Sequence, residues 1–286
     1  MKVSGFTFLR NAVMNGYPFI ESIRSLLPLV DEYVVAVGQS EDGTLEKIKA
    51  LGDKKIKIIE TQWNENMGDR GFVYGQQKMI AHYNCSGDWA FYLEGDEVLH
   101  EGDLQNIYNS MERNLGDPDV EALYFEFLHF YGVPSQVGIA GYRKAPRIIR
   151  NSIRCISPDG LFFVVLDKNK SGRYPAAKSA GGTVYHYGHC RLSKYTDLKL
   201  KQVGKYWGQT HAEFGSYGSL DTAELRPFNG SHPAVVKDWL LKHAESEFTS
   251  DVKYSLTNRD RRNRIRFWIE DRFNLELSKK HYRALD

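Results

Sequence analysis

The chain has 286 residues, of which 42% are hydrophobic and 26% charged, enough for one large α/β domain or one domain with an appendage. Lysine and arginine number 38 against 36 aspartates and glutamates, a balance that argues against nucleic-acid binding through bulk charge. The segment Met1 to Arg10 is too short and polar-interrupted for a signal peptide, and no apolar run reaches the roughly 18 residues of a membrane span.

Four apolar runs read as strands over the first hundred residues: Val3 to Leu9, Tyr33 to Val37, Lys55 to Glu60 and Trp89 to Leu93. Between them, Tyr17 to Leu29, Thr44 to Leu51 and Phe72 to Asn84 carry apolar residues at helical spacing. Alternation of this kind predicts βαβ units and a mostly parallel sheet. In such sheets ligands sit beyond the carboxyl ends of the strands. Arg10-Asn11 follow the first strand, Gly38 to Thr44 the second and Glu94 to Glu97 the fourth, so all three are expected on one edge. The Gly38 to Thr44 loop also has the plain reading of a turn into a helix capped by Asp42 or Thr44.

Past residue 120 the pattern loosens. Val120 to Phe130, Arg147 to Arg150, Leu161 to Leu166 and Thr183 to Gly188 read as further strands, with a glycine- and lysine-rich loop at Lys168 to Gly182. Ser193 to Gly208 looks helical, Phe214 to Pro233 irregular, and Ala234 to His243 and Asn258 to Leu277 look like terminal helices. Cys85, Cys155 and Cys190 form no C-x-x-C pair, which suits reduced thiols in a cytoplasmic protein.

Two features carry chemistry. Leu93-Glu94-Gly95-Asp96-Glu97 places three carboxylates at the end of an apolar strand, with a glycine to close the turn. Carboxylates this close repel, and a cation among them relieves the repulsion; Mg2+ or Mn2+ would accept such oxygen ligands and keep positions open for phosphate. A solvated acidic turn is the alternative. His186, between Tyr185 and Tyr187, reads either as a core residue or as a ligand.

The segment Gly87 to Glu97 resembles the acidic signature of family 2 glycosyltransferases, which have the GT-A fold. Phe8-Leu9-Arg10-Asn11 is similar to that family's first nucleotide-binding turn, and Asp31 to Thr44 to its next conserved loop. Arg147-Ile148-Ile149-Arg150-Asn151, Tyr185-His186-Tyr187-Gly188 and Phe228 to Pro233 resemble motifs of a bacterial polysaccharide-type branch. These matches keep their order over residues 3 to 190, with an echo to 240.

The resemblance implies an α/β, Rossmann-like GT-A domain with a mostly parallel mixed sheet flanked by helices. It would cover residues 1–212, with a nucleotide-binding half to about residue 100 and an acceptor half beyond it, followed by a helical C-terminal extension over 213–286. It implies transfer of a sugar, with inversion, from a nucleotide-diphosphate donor to a glycan or glycolipid hydroxyl at the cytoplasmic face of a membrane, bacterial surface polysaccharide being the acceptor class. Asp96 and His186 match metal ligands, and Glu94 a residue facing the ribose or the metal. Phe8, Arg10, Asn11, Gly38, Asp42 and Gly95 match nucleotide-pocket positions. Gly38 stands where many members carry an aspartate, and Glu94 where they carry aspartate.

Arg70 and Lys78 are candidate cations for the diphosphate. Asp159 is the first candidate for the base that takes the acceptor proton, with Glu126 and His129 as competitors. The basic run Arg259 to Trp268 suits either peripheral contact with anionic lipid or a helix that packs Ile265, Trp268 and Ile269 on the body or on the second subunit of a homodimer. A non-catalytic nucleotide-sugar or glycan-binding module is the alternative function. A sugar-phosphate nucleotidyltransferase is a poorer match, because no glycine-rich loop follows the first strand.

Overall fold

The first, second and fourth N-terminal apolar runs form strands buried on both faces, while the third, at the sheet's edge, is only partly buried. Strands β1 (Val3–Leu9), β2 (Glu32–Gly38), β3 (Ile56–Thr61) and β4 (Trp89–Tyr92) lie in the parallel order β4-β1-β2-β3. Helices α1 (Phe19–Leu26), α2 (Thr44–Lys49) and α3 (Phe72–Tyr83) make the crossovers, each within a few residues of its expected bounds. The structure is a computed structural model describing residues 1–195, 205–206 and 218–285. Most of the helix expected over Ser193 to Gly208, and the boundary expected at residue 212, lie outside the described residues.

The second half builds onto the free edge of β4. After β5 (Glu97–Leu99), a helix that the sequence pattern did not reveal, α4 (Leu104–Asn114), leads into β6 (Ala122–Tyr131). Strands β7 (Gln136–Gly138) and β8 (Lys144–Arg150) follow, and β8 pairs antiparallel with both β4 and β6. A small separate sheet forms from β9 (Cys155–Ile156), β10 (Val164–Leu166) and β11 (Gly172–Arg173). Strand β12 (Ala176–His189) begins inside the loop expected at Lys168 to Gly182. It pairs parallel with β6 and antiparallel with β5.

β13 (Leu225–Pro227) pairs with β7, and β14 (Arg283–Ala284) pairs with β12, completing an 11-stranded sheet among the described residues. Helices α5 (Lys237–His243) and α6 (Asn258–Phe273) complete the chain's described elements. The fold is thus α/β, a mixed sheet flanked by helices, as expected. Apolar side chains of α1 and α4 pack with strand residues such as Phe91, Phe125 and Val184 in the largest core cluster. All three cysteines are free and buried, and burial pushes each thiol up to about 12, so none is a ready nucleophile.

Candidate active site

A cavity of about 740 Å³ opens at the carboxyl ends of β1 and β4, where a parallel sheet leaves room for a ligand. Phe8, Arg10, Asn11, Glu94, Gly95, Asp96, His129, Asp159 and His186 all line it. The turn after β4 is tight because Gly95 has no side chain: a Cβ there would meet Leu9 Cδ2 at 2.6 Å.

The three carboxylates of this turn have separate fates. Glu97 is fully buried and receives Arg147 Nε at 2.7 Å and Nη2 at 2.5 Å, a two-pronged ion pair. Arg147, also buried, reaches Glu94 Oε1 at 3.2 Å. The cation that reconciles Glu94 with Glu97 is therefore a guanidinium from β8. Burial, and then the neighbouring Glu97 charge, push Glu94 up to about 7. Asp96 alone turns away from Arg147 and faces His186, with Oδ1 and Nε2 3.6 Å apart.

Strand pairing sets the histidine. His186 of β12 lies directly opposite His129 of β6, and their Nδ1 atoms are 2.8 Å apart. His129 Nε2 is 2.7 Å from the Tyr142 carbonyl oxygen, which can only accept, so this nitrogen carries the proton. Burial, and then His186, hold His129 down at about 3, so it is neutral and its Nδ1 must accept. His186 therefore donates from Nδ1. Its Nε2 faces the Asp96 carboxylate, and a divalent cation bound there would take that nitrogen and a carboxylate oxygen as ligands.

Gly188 keeps that space open, because a Cβ there would lie 2.5 Å from His186 Nε2 and 3.1 Å from Asp96 Oδ2. The donor set, one carboxylate oxygen and one imidazole nitrogen, suits Mn2+ or Mg2+ that completes its shell with phosphate oxygens and water. Among the described residues no three metal-capable side chains converge, so Glu94 does not join Asp96 and His186 as a third ligand.

Asp159 also lines the cavity. Its Oδ1 accepts Leu161 N–H at 3.0 Å, and Oδ2 has no hydrogen bond among the described residues. Helix α3 braces this loop: a Cβ on Gly75 would meet the Ser157 and Pro158 carbonyl oxygens at 2.4 and 2.6 Å. Lys78, one turn further along, is fully buried and donates from Nζ to Gly160 O at 3.0 Å. Burial, and then Arg147, hold the Lys78 ammonium down at about 7. Lys78 thus anchors the Asp159 loop and does not meet a diphosphate.

Other expected residues are placed elsewhere. Glu126 is half-exposed and pairs with Lys144 at 3.0 Å. His129 reaches the cavity, but both ring nitrogens are engaged, so it orients His186 and is not a free base. Asp42 uses both oxygens to tie down Met14 N, Thr44 N and Thr44 Oγ1. Arg70 is exposed. Among the described residues Glu126, Gly38, Asp42, Arg70 and Lys78 do not line the cavity.

Sequence reasoning missed the aromatic wall. Trp63 lies over Gly38, where a Cβ would meet the indole nitrogen at 2.3 Å. Tyr74 and Tyr206 contact Trp63 edge-on with ring centroids 5.4 and 5.5 Å away, and Phe8 lies 6.2 Å from it. Arg10 is held by Glu65 at 2.5 Å and by the Tyr206 hydroxyl at 3.0 Å, with its guanidinium 5.2 Å from the Trp63 ring. No periodicity marks these residues, because they come from the end of β1, a loop, helix α3 and residue 206 far downstream.

Among curated proteins none matches the chain. Among solved structures the chain is similar to S. aureus TarS, at 15% identity and TM-score 0.42, over 74% of this chain and 41% of that one. It is similar to S. aureus TarS 1–349 in complex with UDP-GlcNAc, at 15% identity and TM-score 0.40, over 74% and 69% of the two chains. Likeness to mannosyl-3-phosphoglycerate synthase from Rubrobacter xylanophilus is 23% in identity and 0.30 in TM-score, over 47% and 41%. The chain thus spans about two fifths of the first of these proteins. Residues 17–119, the span that holds β2 to β4 and the acidic turn, match the family described as Glycosyl transferase family 2.

Proposed function

We propose that the chain transfers a sugar from a nucleoside-diphosphate donor to an acceptor hydroxyl, with Mn2+ or Mg2+ held by Asp96 and His186. The observation that carries this reading is the pair of acceptor atoms, Asp96 Oδ1 and His186 Nε2, held 3.6 Å apart beside a glycine that leaves space for an ion. The family match over residues 17–119 supports the reaction class. When bound, the cation offsets the charge that develops on the diphosphate leaving group.

The chain's own groups do the rest. Phe8, Trp63, Tyr74 and Tyr206 offer ring faces and edges to a nucleobase. Arg10, Lys205 and Arg259 line the cavity and supply positive charge where Arg70 and Lys78 do not. Glu94 can accept from a ribose hydroxyl. Asp159 Oδ2 takes the acceptor's hydroxyl proton as that oxygen bonds to the anomeric carbon. The bond from that carbon to the diphosphate oxygen breaks, its electron pair leaves with the nucleoside diphosphate, and the anomeric centre inverts.

Thermal-shift measurements with each nucleoside diphosphate, with and without Mn2+, test the donor. One base should stabilise the chain, by about 2.7 kcal/mol at a hundredfold excess over its Kd, and only fully with the metal. No response to any nucleotide would overturn the reading. Asp96→Asn should lower donor turnover by at least about 100-fold while the circular dichroism spectrum is kept. Full activity in that variant would remove the metal assignment, and nucleotide binding without donor cleavage by the native chain would mark a binding module.

A further inference from the structure

Helix α6 is inverted. Its buried positions are Asp260, Asn263, Phe267 and Glu270, three of them polar. Its solvent face carries Ile265 and Trp268, 63% and 64% exposed. Spacings of four, three and four put Arg261, Ile265, Trp268 and Arg272 on one stripe. Phe273 at the end of the helix, and Leu275 and Leu277 just past it, are also exposed. The packing expected for Ile265 and Trp268 against the body is therefore not what the structure has.

The charges around this stripe are one-sided. The segment's four carboxylates are all engaged. Asp260 accepts from Tyr254 and from Thr257 in a capping box. Glu270 pairs with Arg143, Asp271 with Arg226, and Glu276 accepts from Ser278 and lies near Arg143 and Lys144. Arg261, Arg262, Arg272, Lys279 and Lys280 are exposed and have no ion pair among the described residues. An exposed apolar stripe flanked by unpaired cations suits the interfacial plane of an anionic bilayer, where aromatic rings sit at the level of the head groups. A second copy of the same face would bring like charges together, which disfavours self-association.

We propose that the outward face of α6 docks this protein on anionic lipid membranes. The inner face of the same helix backs the cavity. Arg259 lines the cavity, Asn263 binds the lining residue Glu224, and Arg266 donates to the carbonyl of the lining residue Ala140. A bilayer under the outer stripe would therefore lie about one helix diameter, ~10 Å, from the cavity wall, within reach of a lipid-linked acceptor. The docking itself does not rest on the sugar-transfer reading.

The test is vesicle flotation of the full chain with phosphatidylcholine alone and with phosphatidylcholine mixed with phosphatidylglycerol. Binding is expected only to the anionic vesicles and should weaken as salt rises. Arg261→Glu with Arg272→Glu, and separately Ile265→Ser with Trp268→Ser, should each weaken it by about tenfold or more. These side chains are exposed, so the thermal midpoint should not move. No binding to anionic vesicles, equal binding to both lipid mixtures, or unchanged binding by both double variants would overturn the proposal. So would a dimer, seen by light scattering, that the Ile265→Ser and Trp268→Ser variant dissolves while vesicle binding is absent.

Discussion

The tautomer of His186 is decided two residues away from any ligand, at the Tyr142 carbonyl. That carbonyl fixes the proton on His129 Nε2, His129 Nδ1 then accepts from His186 Nδ1, and His186 Nε2 is left facing Asp96. Gly188 completes the arrangement by contributing no atoms. Gly188→Ala should therefore abolish the Mn2+-dependent part of the nucleotide thermal shift, with apparent metal affinity falling by at least about tenfold. A variant that keeps the full Mn2+ response would show that the metal lies elsewhere. Asp96 and His186 could be picked out in the sequence because the acidic turn and the H-Y-G run are contiguous motifs. The partner of Glu94 and Glu97 could not. Arg147 comes 50 residues after Glu97, and only the antiparallel pairing of β8 with β4 brings it beneath the turn. Lys78 eluded its sequence reading as a diphosphate contact, since nothing local reveals that its ammonium ends on the Gly160 carbonyl.

Between elements, the contact of α3 with the loop of residues 157–161 positions Asp159. The helix meets the loop where Gly75 exposes bare backbone, and a methyl group there would overlap two carbonyl oxygens. Gly75→Ala should cost about 1–3 kcal/mol of stability, read as a lower denaturation midpoint. It should also reduce turnover more than donor affinity, because the displaced group is the proposed base. A drop in donor affinity with unchanged turnover would argue against Asp159 in that role. The parallel βαβ elements were legible because β1, β2 and β4 are largely apolar and α1 has a clear stripe, while β3 keeps isoleucines between exposed Lys57 and Glu60. α4 was not: Ile107 and Met111 are its only fully buried apolar side chains, set among asparagines. β12 was legible only at its end, because Gly181 and Gly182 interrupt its alternation.

For the whole molecule, Glu32 ties together parts of the sheet that are distant in sequence. Its carboxylate accepts from Ser4 Oγ at 2.6 Å on β1, from Ser86 N and Oγ at 2.7 Å, and from Lys57 on β3. Burial raises this group, but those hydrogen bonds together bring it down to about 2. The folded value lies below the unfolded one, so its stabilisation is full above about pH 4.5 and is lost as pH falls toward 2. Denaturant titrations between those values should show native chain losing on the order of 3 kcal/mol more than Glu32→Gln. Parallel losses in the two would remove Glu32 as the cause. The balanced net charge was read as disfavouring a nucleic-acid partner. It concealed the local imbalance on α6, where Arg261, Arg262 and Arg272 are exposed without an ion pair among the described residues while the carboxylates are engaged, a division that needs the fold to appear.

The strand order also fixes a sequence of assembly. β1 to β4 are joined by short crossovers, so this half of the sheet can close its contacts locally. The facing of Asp96 and His186 cannot form so early, because β12 must cross the sheet from residue 176 to lie between β5 and β6. The wall beside Asp159 waits longer still. His281 stacks on Phe162 with ring centroids 3.3 Å apart, and Tyr282 stacks on Tyr124 at 4.5 Å. A nascent chain therefore has the sheet of β1 to β4 well before it has His186 or the completed wall beside Asp159.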